Sequence, residues 1–229
     1  MLLLCTFFYA GYQLFLYGSE EFTIWRVEKQ LAEEKEKLAE SSYDFMPLIE
    51  QNADTAGWLR IEGTNVNYPV VQAGDNEFYL DHDFYKHKSK AGSIFMDCRN
   101  GKDLEDHNTI LYGHNMKNGT MFRDLNYYGD PQFLENHRYI ELYTTSGLYT
   151  WEVFATYKTG TEFNYLLTEF SSLEDFHSYI ETVIAKSQYE FKEDWRSTEQ
   201  ILTLSTCSGG SGDMRRVVHA RLIGKEKLP

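Results

Sequence analysis

Thr203-Leu204-Ser205-Thr206-Cys207 runs into a glycine-rich turn, Ser208-Gly209-Gly210-Ser211-Gly212-Asp213, and then into Arg215-Arg216-Val217-Val218-His219-Ala220-Arg221-Leu222. The first run is β-like and the last one alternates, so the segment predicts two neighbouring strands with a cysteine where the first one ends. A thiol at a strand end beside a glycine-rich loop suits a nucleophile, although most free cysteines are small buried apolar side chains. A second stretch reads the same way. Asn108-Thr109-Ile110-Leu111-Tyr112-Gly113-His114-Asn115-Met116 is a short apolar strand closing in a polar, glycine-marked turn, with His114 at the exit. Two strand ends thus offer a thiol and an imidazole.

Outward from these, further short β-rich runs lie at 58–61, 68–71, 93–96, 139–143 and 148–157, each bounded by turn residues. With 109–112, 201–205 and 215–223 they make eight, and many short strands with glycine-marked turns predict a mainly β fold closed into a barrel. The 17 Tyr and 15 Phe suit a strand-rich core. Between the last strand pairs, Ser171-Ser172-Leu173-Glu174 has the spacing of a capping box. It opens a helix with Phe176, Ile180 and Ile184 on one face and Tyr179 and Val183 beside it.

At 229 residues the chain fits one globular domain with an appendage. A net charge of -13 without a basic patch argues against a nucleic-acid partner, since phosphate binding relies on clustered Lys and Arg. The three cysteines, Cys5, Cys98 and Cys207, form neither a CxxC nor a Cys/His ligand spacing, so no disulfide framework is expected. Cys98, after Ile94-Phe95-Met96-Asp97, is expected to pack in the core, and Cys5 lies among apolar residues suited to a membrane. Asp81-His82-Asp83 and His87 gather carboxylates and imidazoles, but at no known ligand spacing, and neither a metal nor another cofactor is expected. His107 is expected to be solvated in a turn.

The appendage is N-terminal. Leu2 to Tyr17 contains no charge, and its 16 residues span about 24 Å as a helix against roughly 30 Å of hydrocarbon. It reads as a short membrane span over 1–18, a signal anchor with a few basic residues expected upstream, rather than a cleaved signal, for which no small-residue cleavage site is present. Residues 19–56 read as a helical region: Ile24, Leu31, Leu38 and Phe45 recur every seven residues, with Val27 adding to the stripe. Packing against the chain's own domain, 57–229, suits this stripe better than a coiled coil, and Pro47 is expected to close the helix.

The chemistry rests on charge at the strand ends. A thiol becomes a good nucleophile only when ionised, and nearby cations favour ionisation. Alternation puts Arg215, Val217, His219 and Arg221 on one face of the last strand and Arg216, Val218, Ala220 and Leu222 on the other. Periodicity alone does not say which arginine meets Cys207. Ser205 is equally open: its hydroxyl could face a bound peptide or turn into the barrel.

Thr203-Leu204-Ser205-Thr206-Cys207 with an arginine on the next strand, Leu111-Tyr112-Gly113-His114-Asn115-Met116, the run from Gly57 to Gln72 and Ala91-Gly92-Ser93-Ile94-Phe95-Met96-Asp97 together resemble the class B sortases of Gram-positive bacteria. The resemblance extends from about Trp58 to Leu222. It implies an eight-stranded barrel with a helix inserted in the loop before the cysteine-bearing strand, bordering the substrate groove. It implies a membrane-anchored enzyme, single-pass, with its catalytic domain outside the cell. Such an enzyme cleaves a C-terminal sorting signal of NPxTN-like or xPxTG-like type after Thr, holds the product as a thioester and passes it to a peptidoglycan amine. The partners would then be surface proteins bearing that signal and the cell-wall acceptor. The family's Arg-x-Val-Val pattern selects Arg215 to stabilise the oxyanion or substrate, with Cys207 as nucleophile and His114 as general acid and base. Two other readings compete with this one. In a cysteine peptidase the acyl-enzyme would go to water, and in a wall-associated adhesin or pilus-type module Cys207 would be structural only.

Overall fold

The computed structural model describes residues 2–160, 162–191, 198–207 and 214–228. Eight strands form a closed barrel: β1 (Thr55–Arg60), β2 (Asn67–Val71), β3 (Ile94–Met96), β4 (Asn108–His114), β5 (Tyr139–Thr144), β6 (Gly147–Thr159), β7 (Ile201–Cys207) and β8 (Arg215–Glu226). Their order around the barrel is β1-β2-β3-β4-β7-β8-β6-β5, with β5 pairing back onto β1. Closure leaves no sheet edge exposed. The β2/β3 and β4/β7 pairs are parallel and the others antiparallel. The glycine-rich turn at 208–213 lies outside the described residues.

The eight predicted β-rich runs all become strands, extended by one to three residues at most ends. β7 is buried throughout 201–206, which explains why it reads as a nearly unbroken apolar and neutral run. Leu202 and Leu204 join the barrel core with Ile110, Val218 and Ala220, while Ile201 joins a second cluster outside the barrel. After a short helix α3 (Pro131–Asn136), that outer cluster is made by α4 (Leu173–Lys186), whose Phe176, Ile180 and Val183 pack on Tyr157 and Val217. Full burial of each such aliphatic or aromatic side chain contributes roughly 1.5–3 kcal/mol relative to exposure, and these contacts fix α4 over the outside of β6–β8. The cap of α4 falls one residue later than the capping-box spacing predicts: Ser172 is the N-cap and accepts from Asp175 N, and the Asp175 carboxylate accepts from Ser171 N at 3.1 Å. Ile184 lies at the edge of that face and is only half-buried.

The N-terminal segment is one helix, α1 (Leu2–Glu40), running through the expected boundary at 18. Ile24, Val27, Leu31 and Leu38 are buried, so the apolar stripe does pack on the barrel. The same contact carries a polar link: the Tyr68 hydroxyl on β2 donates to Glu28 at 3.2 Å and accepts from the Met121 amide at 3.2 Å. Pro47 does not end α1. A Schellman motif does, with Tyr43 N donating to Leu38 O at 2.8 Å and Ser42 N to Ala39 O at 3.3 Å, Ser42 taking φ 55°. Phe45, the fourth residue of the stripe, is buried beyond the helix end, and Pro47 sits in the first turn of the short α2 (Met46–Gln51). Among the described residues no helix is long and apolar enough to cross a membrane. The first turns of α1 are exposed, with Phe7 77% and Phe15 70% accessible.

Candidate active site

Parallel pairing of β4 with β7 runs in register from Asn108↔Ile201 to His114↔Cys207, so the two chemically equipped residues end adjacent strands side by side. The Cys207 side chain lies outside the described atoms; the register places its backbone beside that of His114. Gly113 before the histidine has a steric cause, since a β-carbon there would lie 2.8 Å from Cγ of Phe122 and still closer to the Ile94 side chain. Phe122 in turn is tied back by its amide, which donates to the His114 carbonyl at 2.9 Å. The imidazole is half-buried and its Nε2 lies 2.6 Å from the Leu80 carbonyl. A carbonyl can only accept, so Nε2 carries the hydrogen of that bond and Nδ1 is left for proton transfer.

The two arginines separate as alternation requires. Arg215 is half-buried and its Nη1 donates to the carbonyl of Thr206, the residue before Cys207, at 3.2 Å. Arg216 points to the other side, where it is buried and bonds Gln188 at 2.5 Å through Nη1. Burial lowers the Arg216 pKa, offset in part by Tyr189. His114 and Arg215 line one cleft of about 570 Å³, together with Leu80, Tyr112, Phe163 and Tyr165. The cleft therefore brings His114 and Arg215 together, and the register sets the backbone of Cys207 next to that of His114.

Ser205 is the exception. It is fully buried, and its hydroxyl is 2.8 Å from the Tyr165 hydroxyl, so it supports a cleft-lining tyrosine and does not itself open onto the cleft. The wall residues Phe163, Tyr165, Leu166, Asn76 and Leu80 carry no spacing signal; loops fold against the barrel by contacts distant in sequence. Their aromatic and apolar character between polar turns is the only trace they leave.

The remaining candidates are occupied elsewhere. Cys98, expected to pack, is exposed, because the chain turns outward after the buried Asp97. His107, expected to be solvated, is half-buried: it stacks on Phe176 with centroids 4.8 Å apart and contacts the Glu199 carbonyl at 2.7 Å through Nδ1. Asp81 pairs with Lys88 at 2.6 Å, His82 stacks on Phe78, and buried Asp83 accepts from His87 N at 2.9 Å. Among the described residues no three His, Cys, Asp or Glu side chains group as metal ligands.

His219 is excluded as the acid-base group by its setting. The Thr203 hydroxyl donates to Asn108 at 2.7 Å, so it accepts from His219 Nδ1 at 2.9 Å, while Nε2 accepts from Tyr157 at 2.8 Å. Burial holds this imidazole far below its ordinary value of 6.5, at about 3. An unfolded chain takes up a proton below about 6.5 that the native chain refuses until about 3, so this residue makes stability fall as pH drops through that window, by at most about 1.4 kcal/mol per unit. Urea unfolding should show the stability advantage of wild type over His219→Gln shrinking from about pH 7 to about pH 4.5; a constant difference would mean the imidazole protonates in place.

A cysteine and a histidine at the ends of parallel neighbouring strands, with an arginine of the third strand bonded beside the cysteine, define a cysteine acyl-transfer site on a closed barrel. Comparison with known proteins agrees: residues 59–223 match the Sortase domain model. The chain is 41% identical to sortase B of Listeria monocytogenes over 184 residues, 80% of this chain and 75% of that protein. It is 39% identical to sortase B of Staphylococcus aureus over 181 residues, 78% and 74% of the two chains. Among solved structures, a Staphylococcus aureus sortase B–substrate complex superposes with a TM-score of 0.84 at 34% identity, covering 90% of this chain and 98% of that one. The chain belongs to the sortase family, in its class B, and is a cysteine transpeptidase of the cell wall.

Proposed function

We propose that the enzyme cuts an NPxTN-like or xPxTG-like sorting signal after its threonine and joins the new carboxyl end to a peptidoglycan amine. The observation that carries this reading is the register His114↔Cys207, with Arg215 Nη1 3.2 Å from the Thr206 carbonyl. The Cys207 thiolate adds to the threonine carbonyl carbon, and the charge that develops on its oxygen falls to Arg215. His114 gives its proton to the departing amine as the C–N bond breaks, leaving a thioester. The same imidazole then takes a proton from the incoming amine, which attacks the thioester and returns Cys207 as thiolate. The groove of about 570 Å³ is open and aromatic, suited to an extended peptide. The uncharged, aromatic first turns of α1 support attachment of that end to the membrane, with the barrel on the outer side. A panel of both signal types assayed with and without an amine acceptor tests the substrate assignment. Amine-dependent turnover of one type is expected, and indifference to the threonine position would contradict it.

Arg215 is assigned over Arg216 on geometry, and the two separate experimentally. An oxyanion or peptide-backbone contact uses a planar fork of donors, which lysine lacks. Arg215→Ala and Arg215→Lys should both lose transition-state stabilisation, by about 2.7–4 kcal/mol for the alanine. Arg216→Ala should stay within a few-fold of wild type at temperatures where it remains folded, because its guanidinium bonds Gln188 on the other face. An inactive Arg216→Ala beside an active Arg215→Ala would reverse the assignment.

A further inference from the structure

The turn Asp97-Cys98-Arg99 leaves β3 without lining the cleft, yet it holds three residues that do. The Cys98 amide donates to Asn76 Oδ1 at 2.8 Å, and the Tyr112 hydroxyl donates to Asp97 Oδ2 at 2.7 Å. Arg99 forks onto the same carboxylate, Nε to Oδ1 at 2.8 Å and Nη2 to Oδ2 at 2.7 Å, and the second hydrogen of Nη2 reaches the Leu166 carbonyl at 3.1 Å. Asn76, Tyr112 and Leu166 come from three separate parts of the chain and all line the cleft. Asp97 is fully buried. Burial pushes its carboxyl up, but the bonds from Arg99 and Tyr112 outweigh it and hold the group at about 2, so it is ionised near neutral pH. A buried charge of this kind stays in place only while its partners do.

The wall it reaches has special need of such a tie. Residues 164–170 have no regular secondary structure, so their carbonyls have no ladder to join. Three consecutive ones are capped by side chains instead: Tyr165 O by the Tyr179 hydroxyl at 2.7 Å, Leu166 O by Arg99, and Leu167 O by Asn108 Nδ2 at 2.7 Å. Tyr179 is on α4 and Asn108 on β4, so those two bonds fix the segment to the body of the domain. The Arg99 bond adds a tie to the cleft-lining Tyr112 and Asn76 by way of the turn at Asp97 and Cys98.

We propose that Asp97 and Arg99 are positioning residues that set the spacing between the two walls of the cleft and thereby the enzyme's affinity for its extended peptide. The proposal rests on the reading of this cleft as the sorting-signal groove. Among the described residues no hydrogen bond or ion pair joins either of them to His114 or Arg215, so their loss should weaken peptide binding and spare the chemistry. Steady-state kinetics on the full chain, with a signal peptide that wild type turns over, measures the split. Arg99→Gln is expected to raise KM roughly tenfold while kcat stays within about threefold, the size expected for lost hydrogen bonds to a charged group. Arg99→Lys should fail to restore KM, because an ammonium cannot grip both carboxylate oxygens and the carbonyl together. In parallel, the rate of Cys207 alkylation by iodoacetamide, followed by mass spectrometry of its peptide, should match wild type in both variants. Arg99 suits the test because its side chain is 48% exposed and its removal opens no core cavity, whereas Asp97→Asn strikes a buried group. An unchanged KM in Arg99→Gln, or a parallel loss of kcat and of alkylation rate, would overturn the proposal. If wild type turns over no peptide in a Cys207-dependent manner, the groove reading itself fails and takes this one with it; if wild type is active and Arg99→Gln keeps its KM, this one alone fails.

Discussion

Cys207→Ala is expected to abolish both cleavage and acyl-enzyme formation while leaving the fold in place. The position is the last residue of β7, and its backbone is held in register against His114 by pairing that alanine preserves, since alanine keeps the β-carbon and loses only the sulfur. No other group at the strand ends can take its place. The Arg215 guanidinium offers hydrogen-bond donors only and cannot attack a carbonyl, and among the described residues the other two cysteines, Cys5 and Cys98, lie elsewhere on the surface. Water could still be activated by His114, but without a covalent intermediate there is no thioester for an amine to intercept. Intact-mass spectrometry after incubation with a signal peptide would show an acyl adduct on wild type and none on Cys207→Ala. An equal thermal unfolding midpoint for the two proteins would show that chemistry was lost and structure kept; residual turnover at the wild-type rate would remove Cys207 from the mechanism.

His114→Ala should lower kcat by roughly 10²- to 10⁴-fold, the usual contribution of a positioned acid-base group. KM should change little, because the imidazole's Nε2 is already engaged with the Leu80 carbonyl and its role is proton transfer. The effect should also depend on the leaving group. A peptide amine needs the proton that His114 supplies, so an activated ester carrying a good leaving group should recover a large part of the lost acylation rate in the variant. His219 makes an informative comparison: it is fully buried in a bonded chain with Thr203 and Tyr157, so His219→Ala should lower stability more than intrinsic activity. If, at matched folded fraction, His219→Ala loses more kcat than His114→Ala, the imidazole has been misassigned.

Strands declare themselves locally through β-rich composition between turn residues, which is why eight short runs could be read as a barrel before any contact was known. That a thiol and an imidazole each stand at a strand end was legible too, because Gly113-His114 and Thr206-Cys207 each close such a run; the parallel pairing of β4 with β7 that sets them side by side was not. What stayed hidden depends on contacts far apart in sequence. Nothing near Ser205 tells that Tyr165, forty residues earlier, takes its hydroxyl. Nothing around Arg99 announces Leu166, and nothing in Leu80 or Phe163 marks them as lining the same cleft. Cys98 reads as the tail of an apolar strand, and only the outward turn after Asp97 exposes it. The end of α1 was misplaced for a different reason: a proline is a visible stop signal, whereas a Schellman turn built on Ser42 in a left-handed conformation uses a residue with no such signature.

The transpeptidase account is tested most directly by partitioning of the acyl-enzyme between water and an amine. Wild-type enzyme, a signal peptide and increasing concentrations of a small peptidyl amine would be followed by mass spectrometry, with Cys207→Ala alongside. The account predicts that the threonine-ended fragment appears joined to the amine, that its share of the product rises with amine concentration as the hydrolysed share falls, and that neither forms with Cys207→Ala. Release of the fragment only as the free acid, at a rate that added amine leaves unchanged, would contradict it.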